Sequence, residues 1–337
     1  MIPFQKLSRR RFVKYGASSL ALVSISAKTQ SLSGQPGGAD SPAGAAPDTP
    51  TITAKTDAAN HLMVAGRIDG RGPYHFVVDT GADRTVLAAE VAVELGLPHA
   101  DNVILEGAVR AIAAETVSIR SLSFGSITSR HLVVPTLSRS LMDADGYLGL
   151  DFLDGHRVTF DFKNHTLRVS DPRPRMSASW SRENEARVST SGLSGHLKAL
   201  DCTVDGIAAT AFVDSGAEVT AANAPLLAAL ARGNSGFEAN GAIRLIDITG
   251  GEIFGKVATV KKIHLAGLTF TDCPLVIADF LVFDVWGLRQ RPALLIGMNL
   301  LRQFARVSID YGLKELRFDL AAFGTLPIGT IPMGVTS

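Results

Sequence analysis

Two stretches of this chain carry nearly the same wording. Phe76-Val77-Val78-Asp79-Thr80-Gly81-Ala82-Asp83 runs three apolar residues into an aspartate, a hydroxyl residue and a glycine; Ala211-Phe212-Val213-Asp214-Ser215-Gly216-Ala217-Glu218 repeats that order 135 residues later. Each reads as a buried strand ending abruptly in a tight turn that presents one carboxyl group. A lone Asp-Gly turn is most often a surface feature. At average residue usage, however, a single Asp-Thr/Ser-Gly-Ala arises on the order of 0.01 times in a chain this long, so a matched pair argues for duplication. Two related lobes, each lending one aspartate to a shared site, are the arrangement this predicts.

The repeat extends well beyond the loops. Tyr147-Leu148-Gly149-Leu150-Asp151-Phe152-Leu153 is followed by Arg157-Val158-Thr159-Phe160-Asp161-Phe162 and Leu167-Arg168-Val169. Leu294-Leu295-Ile296-Gly297-Met298-Asn299-Leu300-Leu301 is followed in the same way by Arg306-Val307-Ser308-Ile309-Asp310-Tyr311 and Leu316-Arg317-Phe318. Between these landmarks the chain is a series of short β-rich runs separated by turn residues, including Asp69-Gly70-Arg71-Gly72-Pro73, Asp205-Gly206, Gly107 and Gly125. Leu87, Val91 and Leu95 form one apolar stripe on a short helix closed by Gly96 and Pro98, and the run from Asn223 to Leu230 is its counterpart, with Asn223 as cap. Thr249-Gly250-Gly251 reads as a hairpin tip.

The ends read differently. Ser8-Arg9-Arg10-Arg11-Phe12-Val13-Lys14 has the order of a twin-arginine export signal, and the modestly apolar Tyr15 to Ala27 after it is too short to span a bilayer, so residues 1–27 are expected to be a removed signal peptide. Residues 28–50, rich in Ser, Gly, Pro and Ala, form a flexible leader. The first lobe then covers 51–170, a linker 171–184, the second lobe 185–320, and a tail without clear pattern 321–337. Localisation is expected to be periplasmic or secreted, with no stable membrane anchor. Without the five basic residues of the signal, 28 basic stand against 32 acidic residues, a net charge near −4 that gives a nucleic-acid partner no electrostatic footing. Cys202 and Cys273 are the only cysteines. In an oxidising compartment they could bridge within the second lobe, and they could equally be two small buried apolar residues.

Two Asp-Thr/Ser-Gly-Ala loops, each followed by a later apolar-apolar-Gly strand, resemble the aspartic proteases of the pepsin and retropepsin group over about residues 51–320. The resemblance implies a mostly β, pepsin-like bilobal fold: two retropepsin-like closed β-barrel lobes, a short helix in each, and a cleft between them. Asp79 and Asp214 would meet at the cleft floor as the catalytic pair, above strands carrying Gly149 and Gly297. Thr80 and Ser215 would cross-link the loops, and Gly81 and Gly216 would let the backbone turn beside each carboxyl. Asp83 is similar to the position that contacts the substrate main chain, with Glu218 in its place in the second lobe. Gly107 and Gly250 would sit on flaps against the substrate, although neither flap carries the tyrosine that pepsin-like enzymes have there.

The chemistry needs no family name. Two carboxyls held together in a desolvated cleft cannot both ionise cheaply, so one keeps a proton while the other can accept one from water. Peptide-bond hydrolysis of this kind needs no metal and no cofactor. No His-Glu-x-x-His, Gly-x-Ser-x-Gly or phosphate-cradling Gly-rich loop occurs, and His61 and His196, which recur at the aspartate offset, read as repeat-derived structural positions. The sequence thus points to an exported endopeptidase acting on polypeptides, with both aspartates in one chain so that a monomer could carry the site. The alternative is a peptide-binding module on the same scaffold with little turnover.

Overall fold

The computed structural model describes residues 12–14, 18–19, 51–56, 61–125, 127–170, 185–191, 198–199, 202–233, 237–265 and 268–319. Most of the expected signal peptide and leader, the linker, His196 and the tail lie outside the described residues.

Local sequence chemistry sets the strands. Leu62–Ile68 alternates inward and outward side chains and turns back on Arg71–Val78 at Asp69-Gly70, whose φ values of 49° and 78° are those of a two-residue hairpin turn. Asp205-Gly206, at 46° and 82°, makes the same turn between Cys202–Val204 and Ile207–Ala208. The first turn is tighter than its Gly/Pro-rich sequence suggests, because Arg71, Gly72 and Pro73 already belong to the next strand.

Each aspartate-bearing strand then runs parallel to the glycine-ended strand of its own lobe. Phe76, Val77 and Val78 pair with Gly146, Tyr147 and Leu148, while Ala211, Phe212 and Val213 pair with Leu294, Leu295 and Ile296. A third strand threads back antiparallel to the same partner: Val86–Ala88 in the first lobe and Ala221–Ala222 in the second. Leu87 belongs to this returning strand, and the helix predicted around it begins at Ala89 and runs to Leu95. Its end at Gly96 is left-handed, with φ 62°, as expected of a terminating glycine. Its counterpart is Ala224–Gly233, where Asn223 Oδ1 accepts the Leu226 N–H at 3.1 Å and so caps the first turn.

The strands build two barrel-like lobes, one closed barrel of six strands and a nearly closed one of seven. Edge-to-face rings fill both: Phe76, Phe124 and Phe152 in the first, and Phe270 against Phe304 in the second. The closing hairpins do more than end the lobes. Arg157–Asp161 pairs antiparallel with Arg306–Asp310 (Val158 with Ile309, Phe160 with Val307), so the hairpins of both lobes merge into one sheet. Thr51–Thr56 and Glu185–Ser191 extend it on its two sides. Thr159 and Ser308 hydroxyls meet at 3.0 Å on this seam. Cys202 and Cys273 are both buried and unbridged, which leaves the second of their two readings, small apolar core residues. His61 is likewise a buried strand-entry residue, 1% exposed.

Candidate active site

The aspartate loops are held at the ends of their strands by backbone pairing. Asp79 N–H donates to Leu148 O at 2.9 Å, and Asp214 N–H to Ile296 O at 3.0 Å. Just beyond, each loop is pinned again. Thr85 N–H and Oγ1 donate to Asp151 Oδ1 at 2.8 and 2.7 Å, and Thr85 Oγ1 accepts the Gly149 N–H at 3.2 Å. The second lobe repeats the arrangement, with Thr220 donating to Asn299 Oδ1 at 2.8 and 2.7 Å and accepting from Gly297 N–H at 3.2 Å. A Cβ on Gly149 would stand 2.3 Å from the Arg84 backbone, and one on Gly297 2.5 Å from that of Val219, so only glycine lets these strands support the loops this closely. Burial pushes the Asp151 carboxyl up, while the Thr85 hydroxyl and N–H and the Arg84 guanidinium act against that rise. These pins were missed in the sequence reading, although Thr six residues after each Asp and Asp151/Asn299 two residues after each Gly recur there.

Across the lobe junction the loops grip each other reciprocally. Thr80 Oγ1 donates to Val213 O at 3.0 Å and accepts from the Ser215 N–H at 2.9 Å. Ser215 Oγ donates to Val78 O at 2.7 Å and accepts from the Thr80 N–H at 3.2 Å. All four groups are buried, where hydrogen bonds gain most from exclusion of water. The cross-linking that the resemblance assigned to Thr80 and Ser215 is thus present as geometry.

The grip brings the two carboxyls face to face. Asp79 and Asp214 are both fully buried. Gly81 N–H donates to Asp79 Oδ1 and Gly216 N–H to Asp214 Oδ1, each at 2.8 Å. A Cβ on Gly81 would lie 2.5 Å from Asp214 Cγ, and one on Gly216 would lie 2.4 Å from Asp79 Cγ. Each carboxyl therefore rests on the other lobe's glycine. Among the described residues, no group other than the facing carboxyl is placed to donate to Asp79 Oδ2. Two facing carboxyls can hydrogen-bond only when one carries a proton, and burial, the Asp214 charge and that shared hydrogen bond together hold the Asp79 carboxyl well above the ordinary carboxylate range. The proton belongs to the pair.

Asp83 is half-buried and Glu218 buried at matching positions past the glycines, with their carbonyls accepting from Asp151 and Asn299 N–H at 3.1 Å each. Gly107 and Gly250 lie at hairpin tips, between Val103–Glu106 and Ala111–Ala114 and between Ala239–Asp247 and Glu252–Leu265. The tips meet. Asp247, 1% exposed, accepts on Oδ1 from Thr249 N–H, Thr249 Oγ1 and Gly251 N–H at 2.9, 2.6 and 2.8 Å, and on Oδ2 from Val109 N–H of the other flap at 2.8 Å. Arg110 Nε donates to Thr249 O at 3.2 Å. A Cβ on Gly107 would lie 2.3 Å from Asp247 Oδ2, so this glycine is fixed by the latch and not by backbone conformation. Each tip also reaches the opposite lobe: Ala108 O accepts the Val282 N–H at 3.3 Å, and Gly250 lies against Leu141. Asp247 and Arg110 were not singled out from sequence, since their partners are over a hundred positions away.

Among the described residues no three His, Cys, Asp or Glu side chains gather into a metal-holding group, and no helix is long and apolar enough to cross a membrane. A family model described as aspartyl protease matches residues 64–152 and 200–300, so each matched segment contains one aspartate loop and one glycine-ended strand. No curated protein matches the chain.

Proposed function

The chain belongs to the aspartyl protease family, and we propose that it is an endopeptidase that hydrolyses polypeptides with a water activated between Asp79 and Asp214. The observation that carries this reading is the reciprocal seating of each buried carboxyl on the facing glycine, which leaves room for one proton and not two charges. The ionised member of the pair takes a proton from the water as it attacks the scissile carbonyl. The protonated member donates to the developing oxyanion, and the roles return when the amine leaves. The loop hydrogen bonds fix the carboxyls before substrate arrives, so little reorganisation is needed during the reaction.

A substrate strand would lie between the aspartate loops and the joined flap tips, with Asp83 and Glu218 offered to its main chain and Gly107 and Gly250 forming the roof. Entry then requires the Asp247–Val109 contact to open. The Ser8 to Lys14 motif would put this activity in the periplasm or outside the cell.

The test is digestion of a diverse peptide mixture by the protein and by its Asp79→Asn and Asp214→Asn variants, from acidic to neutral pH. Cleavage is expected from the unaltered protein alone, blocked by a peptide whose scissile carbonyl is replaced by a hydroxyl-bearing carbon. Peptide affinity without cleavage in the unaltered protein would instead establish a binding module.

A further inference from the structure

The strand that leads up to each flap tip has a second partner, and both partners belong to the stretch from Phe12 to Ser19. Phe12–Lys14 pairs in parallel with Ile104, Leu105 and Glu106, on the edge opposite Ala111–Ala114. Ser18 and Ser19 pair antiparallel with Asp247 and Ile246, on the edge opposite Glu252–Leu265. The flap backbones are built for this. Gly107 N–H donates to Arg110 O and Asp247 N–H to Gly251 O within their own hairpins. By the alternation of an antiparallel pair, the N–H groups of Ile104, Glu106 and Ile246 therefore face the other edge, where the N-terminal residues lie.

The directions of the two pairings follow from the symmetry of the lobes. The equivalent strands Arg157–Asp161 and Arg306–Asp310 run antiparallel across the seam, which places the lobes, and with them the flaps, about a two-fold axis. A strand crossing that axis at right angles must run parallel to one flap strand and antiparallel to its equivalent, as this one does. The crossing is also direct. Only Tyr15, Gly16 and Ala17 join the two pairings, and the four Cα steps from Lys14 to Ser18 span at most about 14 Å. A leader packed at random on the surface need meet neither condition.

We infer that residues 12–19 are an internal ligand of the cleft: the stretch read as part of an export signal also adds a strand to both flap edges and takes the seat of a substrate strand. Strand addition of this kind draws its affinity from main-chain hydrogen bonds and covers edges that would otherwise recruit other chains. Charge fits as well, since residues 1–27 carry five basic and no acidic residues while the remainder has a net charge near −4. Tethered through residues 20–50, the segment is held at a roughly millimolar effective concentration, so an affinity of only about 100 μM fills the cleft about ten times in eleven. Loss of the segment with the signal peptide would free the site.

That the seat is a substrate's rests on the hydrolytic reading; the strand pairing does not. The experiment compares the full chain with a variant carrying Val13→Pro, Lys14→Pro, Ser18→Pro and Ser19→Pro. Adjacent prolines remove whichever N–H faces the flap, and all four positions lie outside the lobes, so the fold should stand, as matching Tm values would show. Amide exchange at Ile104, Glu106 and Ile246 is expected to accelerate about ten-fold in the variant, the factor by which the filled cleft outweighs the empty one, while Gly107 and Asp247, bonded within their hairpins, keep their rates. Apparent KM for added peptides should fall about ten-fold at constant kcat, as expected when a tethered competitor leaves. Equal exchange at the three edge amides in both proteins overturns the inference. Faster exchange in a variant that cleaves nothing keeps the inference and removes the hydrolytic reading; cleavage with unmoved exchange does the reverse.

Discussion

Gly216 and Asp79 touch across the lobe junction so closely that a single methyl on the glycine would fall 2.4 Å from the carboxyl carbon. Real Cβ atoms do not sit there, and the loops have no slack because Thr80 and Ser215 already tie them. The separation of the two carboxyls is thus set by a residue with no side chain.

Gly216→Ala is expected to part the carboxyls by a fraction of an ångström to about one ångström. Activity should fall about 100-fold or more, with a stability loss of about 1–3 kcal/mol from overpacking. Gly233→Ala, where the nearest atom is Ile207 Cδ1 at 3.8 Å, should cost nothing measurable. Peptide-cleavage kinetics and denaturant unfolding of both variants check this.

The raised Asp79 carboxyl makes stability fall with pH in a defined window. Folded protein holds a proton that the unfolded chain releases in the ordinary carboxylate range, so stability is full below that range and declines as pH rises towards the raised folded value. Asp79→Asn, which cannot ionise, should lack this decline, so its Tm relative to the unaltered protein should rise between mildly acidic and neutral pH. Parallel Tm profiles would count against the shared proton.

Asp151→Asn copies what the second lobe has at Asn299. Burial raises the Asp151 carboxyl, so the charged form loses stability as pH climbs through its folded value, while an amide oxygen can still accept both Thr85 donors. The variant should match or exceed the unaltered protein in Tm at neutral pH and lose that advantage under acid. Cleavage should remain within a few-fold, since the loop keeps its pin.

Asp247→Ala removes four donors' acceptor at once and unlatches the flap tips. Loss of hydrogen bonds to a buried carboxylate should cost at least about 1.5–3 kcal/mol locally. Amide exchange at Val109, Thr249 and Gly251 should accelerate, and KM should rise several-fold with a smaller effect on kcat. Unchanged exchange at Val109 would show that the flaps are held by something else.

How much of this was readable in the chain depends on how local each constraint is. The strand-into-turn grammar around Asp79 and Asp214 is written in consecutive residues, so the two lobes, the aspartate-bearing turns, the Asn223 cap and the Thr249-Gly250-Gly251 tip were legible. The Thr85–Asp151 and Thr220–Asn299 pins were also written twice, at constant offsets, and needed only the two copies to be aligned further. Asp247 with Val109 could not be foreseen, because nothing near either residue says that the two hairpins will touch. Leu87 shows the opposite failure: its helical spacing was real, but pairing with Gly146 in the sheet outweighed it. The cysteines were ambiguous because spacing carries no geometry.

The seam between Val158 and Ile309 has a consequence for any attempt to divide this protein. A gene cut between codons 170 and 185 would leave each half with a raw strand border, Arg157–Asp161 in one product and Arg306–Asp310 in the other. Such borders recruit whatever strand will cover them, so neither fragment should persist as a lone soluble unit. Co-produced, the fragments should find each other; produced apart, each should double up on itself, rebuilding from two copies of one half the sheet that the intact chain closes between its own lobes.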